Sequence, residues 1–78
     1  MNWDLILRFA VDQLNHASGK TKYEIWNKHL YGENLGGFFE EICCTDFINR
    51  ISFELPHCVL IQANKALYRL SSEGFEEV

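Results

Sequence analysis

The sequence predicts an α+β domain, mostly helical: three to four helices, then a C-terminal β-hairpin and a short terminal helical turn. Three observations carry this. Apolar residues recur at helical spacing from the N-terminus to Ala17. Helix-capping signals recur at Thr21 and Thr45. After Pro56 the pattern changes to two short apolar runs divided by Asn64-Lys65.

The first helix is expected from about Asn2 to Ala17. Trp3, Ile6, Leu7, Ala10, Leu14 and Ala17 share a face. Asn2 is placed to cap it, and Asp4 lies in the first turn, where negative charge opposes the positive end of the helix dipole. Ser18-Gly19 supplies the stop, because glycine takes the left-handed conformation without penalty. A second helix is expected from Thr21 to Gly32. Thr21 and Glu24 have capping-box spacing, and Tyr23, Trp26 and Leu30 fall on one side. Glu33 to Gly37 reads as a loop.

From Phe38 to Phe53 a single helix does not fit. Phe38, Phe39, Ile42 and Cys43 fall on one side, and Cys44, Phe47, Ile48 and Ile51 on nearly the opposite side. Two short helices accommodate both stripes, with Thr45 as the second N-cap and Asp46 in its first turn. One helix buried on both sides is the other solution. Cys58–Ala63 and Ala66–Ser71 read as strands, because Val59, Leu60, Ile61, Leu67, Tyr68 and Leu70 suit a pleated surface. Phe75 and Val78 are spaced to dock a last helical turn.

Composition bounds the function. The chain has 78 residues, 47% hydrophobic and 14% aromatic, too apolar for a disordered chain and enough for one compact domain over residues 1–78. Apolar surface left over on so small a unit favours a partner or a second copy. The first helix, apolar around much of its circumference, is the candidate for a homodimer contact. No apolar run approaches the roughly 18 residues of a membrane span, and no signal-peptide pattern is present. A cytoplasmic location and no membrane association are therefore expected. Cys43, Cys44 and Cys58 are an odd set with two adjacent members, which suits a reducing compartment better than a disulfide framework. Their spacing with His57 is not that of a metal site, so no metal and no cofactor is expected.

A resemblance appears in Leu60-Ile61 and in the run Tyr68-Arg69-Leu70-Ser71-Ser72-Glu73-Gly74-Phe75. The run resembles the end of the wing in winged helix-turn-helix domains, where Tyr-x-Leu-Thr-x-x-Gly is common and Ser71 here replaces the Thr. The resemblance covers less than half of the chain. It implies that Thr45 to Leu55 is a recognition helix exposing Thr45, Asp46, Asn49, Arg50 and Ser52 to the major groove. It also implies a wing tip at Asn64 and Lys65, with Arg69 behind it.

Charge argues against nucleic acid. Seven Lys and Arg face eleven Asp and Glu, a net charge of −4, and phosphate-binding domains usually carry the opposite sign. No phosphate loop, nucleophile elbow or zinc-protease motif is present, so an enzyme is not expected. The favoured expectation is a protein-interaction module with an acidic and aromatic surface. Its size and acidity are similar to those of small phage and mobile-element proteins that inhibit host machinery stoichiometrically. Anti-CRISPR proteins are among them, and some present carboxylates where DNA phosphates would lie. The protein-binding candidates are Glu33, Glu40, Glu41 and Asp46 as one cluster and Glu73, Glu76 and Glu77 as another. The alternative is a winged-helix DNA-binding regulator, through Thr45, Asn49, Arg50, Ser52, Asn64, Lys65 and Arg69.

Overall fold

The computed structural model describes residues 3–54 and 57–78. Its order is one helix followed by strands: α1 (Trp3–Ser18), β1 (Tyr23–Trp26), β2 (His29–Glu33), β3 (Phe39–Cys44), a 3-10 turn (Thr45–Phe47), β4 (Ile48–Glu54), β5 (Cys58–Ala63), β6 (Ala66–Ser71) and β7 (Gly74–Glu77). The strands form two antiparallel meanders, β1-β2-β3 and β4-β5-β6-β7. The domain is mostly β, and the expectation of a mostly helical domain is overturned. So is the winged-helix resemblance: the second, third and fourth helices are absent from the described residues.

The first helix forms as its spacing predicts. Leu7, Ala10, Val11 and Leu14 are buried at i, i+3, i+4 and i+7. Gly19 ends it at φ 76°, its N–H donating to the carbonyl of Asn15 at 3.0 Å. The Asn2 cap lies outside the described residues, as do Leu55 and Pro56. Asn15 joins the helix to the first sheet. Its Oδ1 accepts from the backbone N–H groups of Lys22 (2.8 Å) and Tyr23 (2.9 Å), and its Nδ2 donates to the Tyr23 carbonyl at 2.9 Å.

The segment expected as a second helix is the β1–β2 hairpin. Asn27 and Lys28 both take positive φ, 50° and 65°, the pair of left-handed residues that a two-residue hairpin turn requires. Tyr23, Ile25, Leu30 and Gly32 then face inward, and Glu24, Trp26, His29 and Tyr31 outward. The Tyr23–Leu30 spacing that imitates a helix face is a cross-hairpin relation. The opposed stripes of residues 38–53 have a different cause from two helices. β3 and β4 lie in separate sheets, and the 3-10 turn between them redirects the chain. Along β4, Arg50, Ser52 and Glu54 alternate with Ile51 and Phe53, a period of two. The terminal helical turn is strand β7. Ser71 shapes the preceding turn, its Oγ accepting from the Glu73 N–H at 3.2 Å and donating to the Gly74 carbonyl at 3.1 Å.

The core is continuous from α1 through both sheets, with Leu30, Ile42, Ile61, Leu70 and Phe75 among its members. Tyr23 crosses it. Its hydroxyl donates to the Ser71 carbonyl at 2.6 Å and accepts from the Ser71 N–H at 3.1 Å. Its ring lies over Gly32, where an added Cβ would stand 2.6 Å from Cδ1. The sheets meet a second time at Gly74, whose φ is +140° and whose Cβ position is 3.0 Å from the Asn34 carbonyl group. Asn34 bridges to Phe75 there, and the Leu35 N–H donates to the Phe75 carbonyl at 3.2 Å.

Two substitutions test this joint by denaturant unfolding. Tyr23→Phe leaves both Ser71 backbone groups without their phenol partner and is expected to cost about 1–3 kcal/mol. Gly32→Ala drives a methyl into the Tyr23 ring and is expected to cost about 1–3 kcal/mol. A change below about 0.5 kcal/mol in both would contradict the role assigned to Tyr23.

Candidate functional site

The outward face of the first sheet carries the most concentrated surface chemistry. The alternation of β1 places Glu24 and Trp26 on that face. β2 adds His29 and Tyr31, and the antiparallel register sets Tyr31 opposite both Glu24 and Glu41. The Tyr31 and Phe39 rings stack at a centroid distance of 6.3 Å and an interplanar angle of 10°. Trp26 stands 66% exposed beside them. Together Glu24, Trp26, Tyr31, Phe39, Glu40 and Glu41 line an open groove of about 500 Å³.

Its carboxylates differ in their partners. Glu41 Oε2 lies 2.5 Å from His29 Nδ1. Glu24 and Glu40 make no ion pair among the described residues. Glu33 is neutralised: Lys22 Nζ donates to its Oε2 at 2.7 Å, and Lys20 stands 3.5 Å away. The Lys22 hydrogen bond holds the Glu33 carboxyl below the usual glutamate range.

Two acidic clusters proposed from sequence meet across the sheet junction. Glu40 and Glu41 of β3 and Glu76 and Glu77 of β7 border one depression of about 440 Å³, floored by Ile42 and Phe75. Glu76 is paired there with Arg69 at 3.2 Å. Glu73 lies exposed in the turn before β7, and Asp46 is exposed on the 3-10 turn. Neither is among the residues bordering these two grooves.

The DNA-binding candidates do not lie on a recognition helix. Thr45 is buried, its N–H donating to the Lys28 carbonyl at 2.8 Å. Asn49 sits in a bulge of β4, with Nδ2 at 3.5 Å from the Asn64 carbonyl. Arg50 and Ser52 face outward from β4, and Asn64 and Lys65 form the β5–β6 turn. Arg69 is committed to Glu76. The aromatic half of the groove, Trp26, Tyr31 and Phe39 with Glu24, was missed by helical reasoning. The run Tyr23-Glu24-Ile25-Trp26, rich in aromatic and β-branched residues and ending at Asn27, is the strand signal that places it.

Among the described residues, no group of three or more His, Cys, Asp or Glu side chains is placed to hold a metal. No helix among them is long and apolar enough to cross a membrane. All three cysteines are free and partly buried. Burial pushes the Cys43 thiol up to about 11, and Cys44 and Glu41 act in the same direction. Comparison with protein-family models, with curated proteins and with solved structures finds no match.

Two outcomes follow. Cys43 is expected to alkylate slowly in the folded protein at neutral pH and faster as pH climbs toward 11, because the thiolate is the reactive form. Peptide mapping after timed iodoacetamide exposure reads this. The depressed Glu33 carboxyl contributes stability that is fully present above the ordinary value of 4.5 and is lost as pH falls through its lower folded value. Lys22→Met is expected to reduce that acid-side loss, leaving the part due to Lys20, read as a flatter stability profile below pH 5 or so.

Proposed function

We propose that this protein acts by binding rather than catalysis, seating a basic segment of a partner protein on the outward face of the first sheet. The observation that carries the reading is the groove itself. Three exposed or half-exposed aromatic rings, Trp26, Tyr31 and Phe39, are rimmed by Glu24, Glu40 and Glu41. Aromatic faces attract guanidinium and ammonium groups, and adjacent carboxylates add charge-assisted hydrogen bonds. Large rings held in solvent on a flat sheet are also the residues that dominate binding energy at protein interfaces. Glu40, without an ion pair among the described residues, extends the negative field beyond the groove together with Glu77 across the junction. A chain of this kind works stoichiometrically, as an inhibitor or regulator of what it binds.

Titration with an arginine-rich peptide, followed through Trp26 fluorescence, tests the reading. Saturable binding is expected that weakens with salt, with no response to an acidic peptide or to duplex DNA. Trp26→Phe identifies the signal against that of Trp3. Trp26→Ala and the pair Glu40→Gln with Glu41→Gln are each expected to weaken binding about tenfold. No saturation at low salt, or affinity unchanged by these substitutions, would sink the proposal.

A further inference from the structure

The two meanders leave four strand edges, at β1, β3, β4 and β7, and these edges are not alike. β1 and β7 are four residues long, and β7 is already bridged by Asn34. β3 carries Glu40 and Glu41 side by side, so pairing it with its own copy about either residue sets like charges against each other. β4 is the longest at seven residues. Its single bulge lies at Asn49, which leaves a regular stretch from Arg50 to Glu54.

That stretch is self-complementary. Turned antiparallel onto a second copy about Ser52, it sets Arg50 opposite Glu54 of the copy, Ile51 opposite Phe53, and Ser52 opposite Ser52. Both ion pairs fall on the outward face, and both aromatic–β-branched pairs fall on the helix-facing side. The relation is isologous, as a two-fold dimer requires. The bulge at Asn49 ends the regular stretch on one side, and within that stretch Arg50 and Glu54 carry opposite charges, which pair across a two-fold axis instead of repelling. The exposed rings beside this edge supply apolar contact. Phe53 (53% exposed) and Phe9 of α1 (59% exposed) meet edge to face at 6.1 Å, and the copy's Ile51 comes to lie on Phe53.

We infer that the chain forms a two-fold homodimer through antiparallel β4–β4 pairing centred on Ser52. The four-stranded sheet of each copy becomes half of a continuous sheet across the dimer. The acidic groove lies on the other sheet, so the dimer presents two grooves and does not depend on what they bind.

Sedimentation of the full chain from micromolar to millimolar concentration, with four variants, decides it. The wild type is expected to dimerise. Arg50→Glu and Glu54→Arg, each placing like charges across the axis, are expected to shift the midpoint at least about tenfold toward monomer. The double variant R50E/E54R re-creates the pairs in reverse and is expected to restore the wild-type midpoint. Circular dichroism checks that each variant is folded. Ser52→Cys places two thiols directly across the axis, where opposed Cβ atoms approach to about 4.5 Å, within disulfide reach, and is expected to give a disulfide dimer on mild oxidation. The wild type, with its own three cysteines, is the control for that product. A wild type that stays monomeric overturns the inference. So does a dimer that ignores both single reversals or fails to cross-link at position 52, which would place the contact elsewhere, such as on α1.

Discussion

The Tyr23 hydroxyl holds this fold together in the literal sense that it belongs to one sheet and bonds the backbone of the other. A phenol buried in a core of this size must find partners, since an unpaired hydroxyl there costs more than the bond returns. It finds both backbone groups of Ser71. Asn15 fixes the backbone of the same tyrosine to the end of α1, and Gly32 clears the space its ring occupies. Burial accordingly raises the phenol well above its ordinary range, so it stays protonated and keeps donating. The relative placement of helix and sheets follows from these few groups. So does the approach of β2 to β7, beside which residues of β3 and β7 border one acidic depression drawn from two distant stretches of sequence.

What was legible in the sequence was the part governed by local rules. The first helix has an apolar stripe and a glycine stop, and both operate as expected. The β5–β6 hairpin occupies the residues assigned to it, with Asn64 at φ 56° in the turn. The rest failed for identifiable reasons. Thr21 and Glu24 have the spacing of a capping box, yet the tertiary demand for a second hairpin prevails, and Lys28 accepts a left-handed conformation that its residue type rarely adopts. In residues 38–53, two opposed apolar stripes imply two buried surfaces, and these belong to two strands in separate sheets, whose side chains repeat every two residues and not every 3.6. Gly74, part of the wing-end pattern in the sequence, is needed where backbone meets backbone.

The candidate site divides along the same line. Carboxylates are visible in a sequence whatever the fold, so Glu40 and Glu41 can be nominated with Glu33 and Asp46, and Glu76 and Glu77 with Glu73, but only those two pairs border the shared depression. Their meeting could not be foreseen, because it depends on a sheet junction. The aromatic residues were invisible as a group while Tyr23, Trp26 and Leu30 stood on one imagined helix face. In the hairpin Tyr23 and Leu30 turn inward and Trp26 outward, and a core residue becomes a surface one. Charge is also apportioned by fold. Lys20 and Lys22 are spent on Glu33 and Arg69 on Glu76, which leaves Glu24 and Glu40 unpaired by basic side chains among the described residues.

The separation of Tyr23 from Ser71, 48 residues along the chain, has an entropic consequence. Hairpins and helix close short loops and form on their own timescale, whereas this pair must close a long one before any of its bonds is made. Docking one sheet on the other therefore carries an ordering cost that no single hairpin carries. That closure, rather than the formation of any one hairpin, is the ordering step that the bonds between Tyr23 and Ser71 must offset.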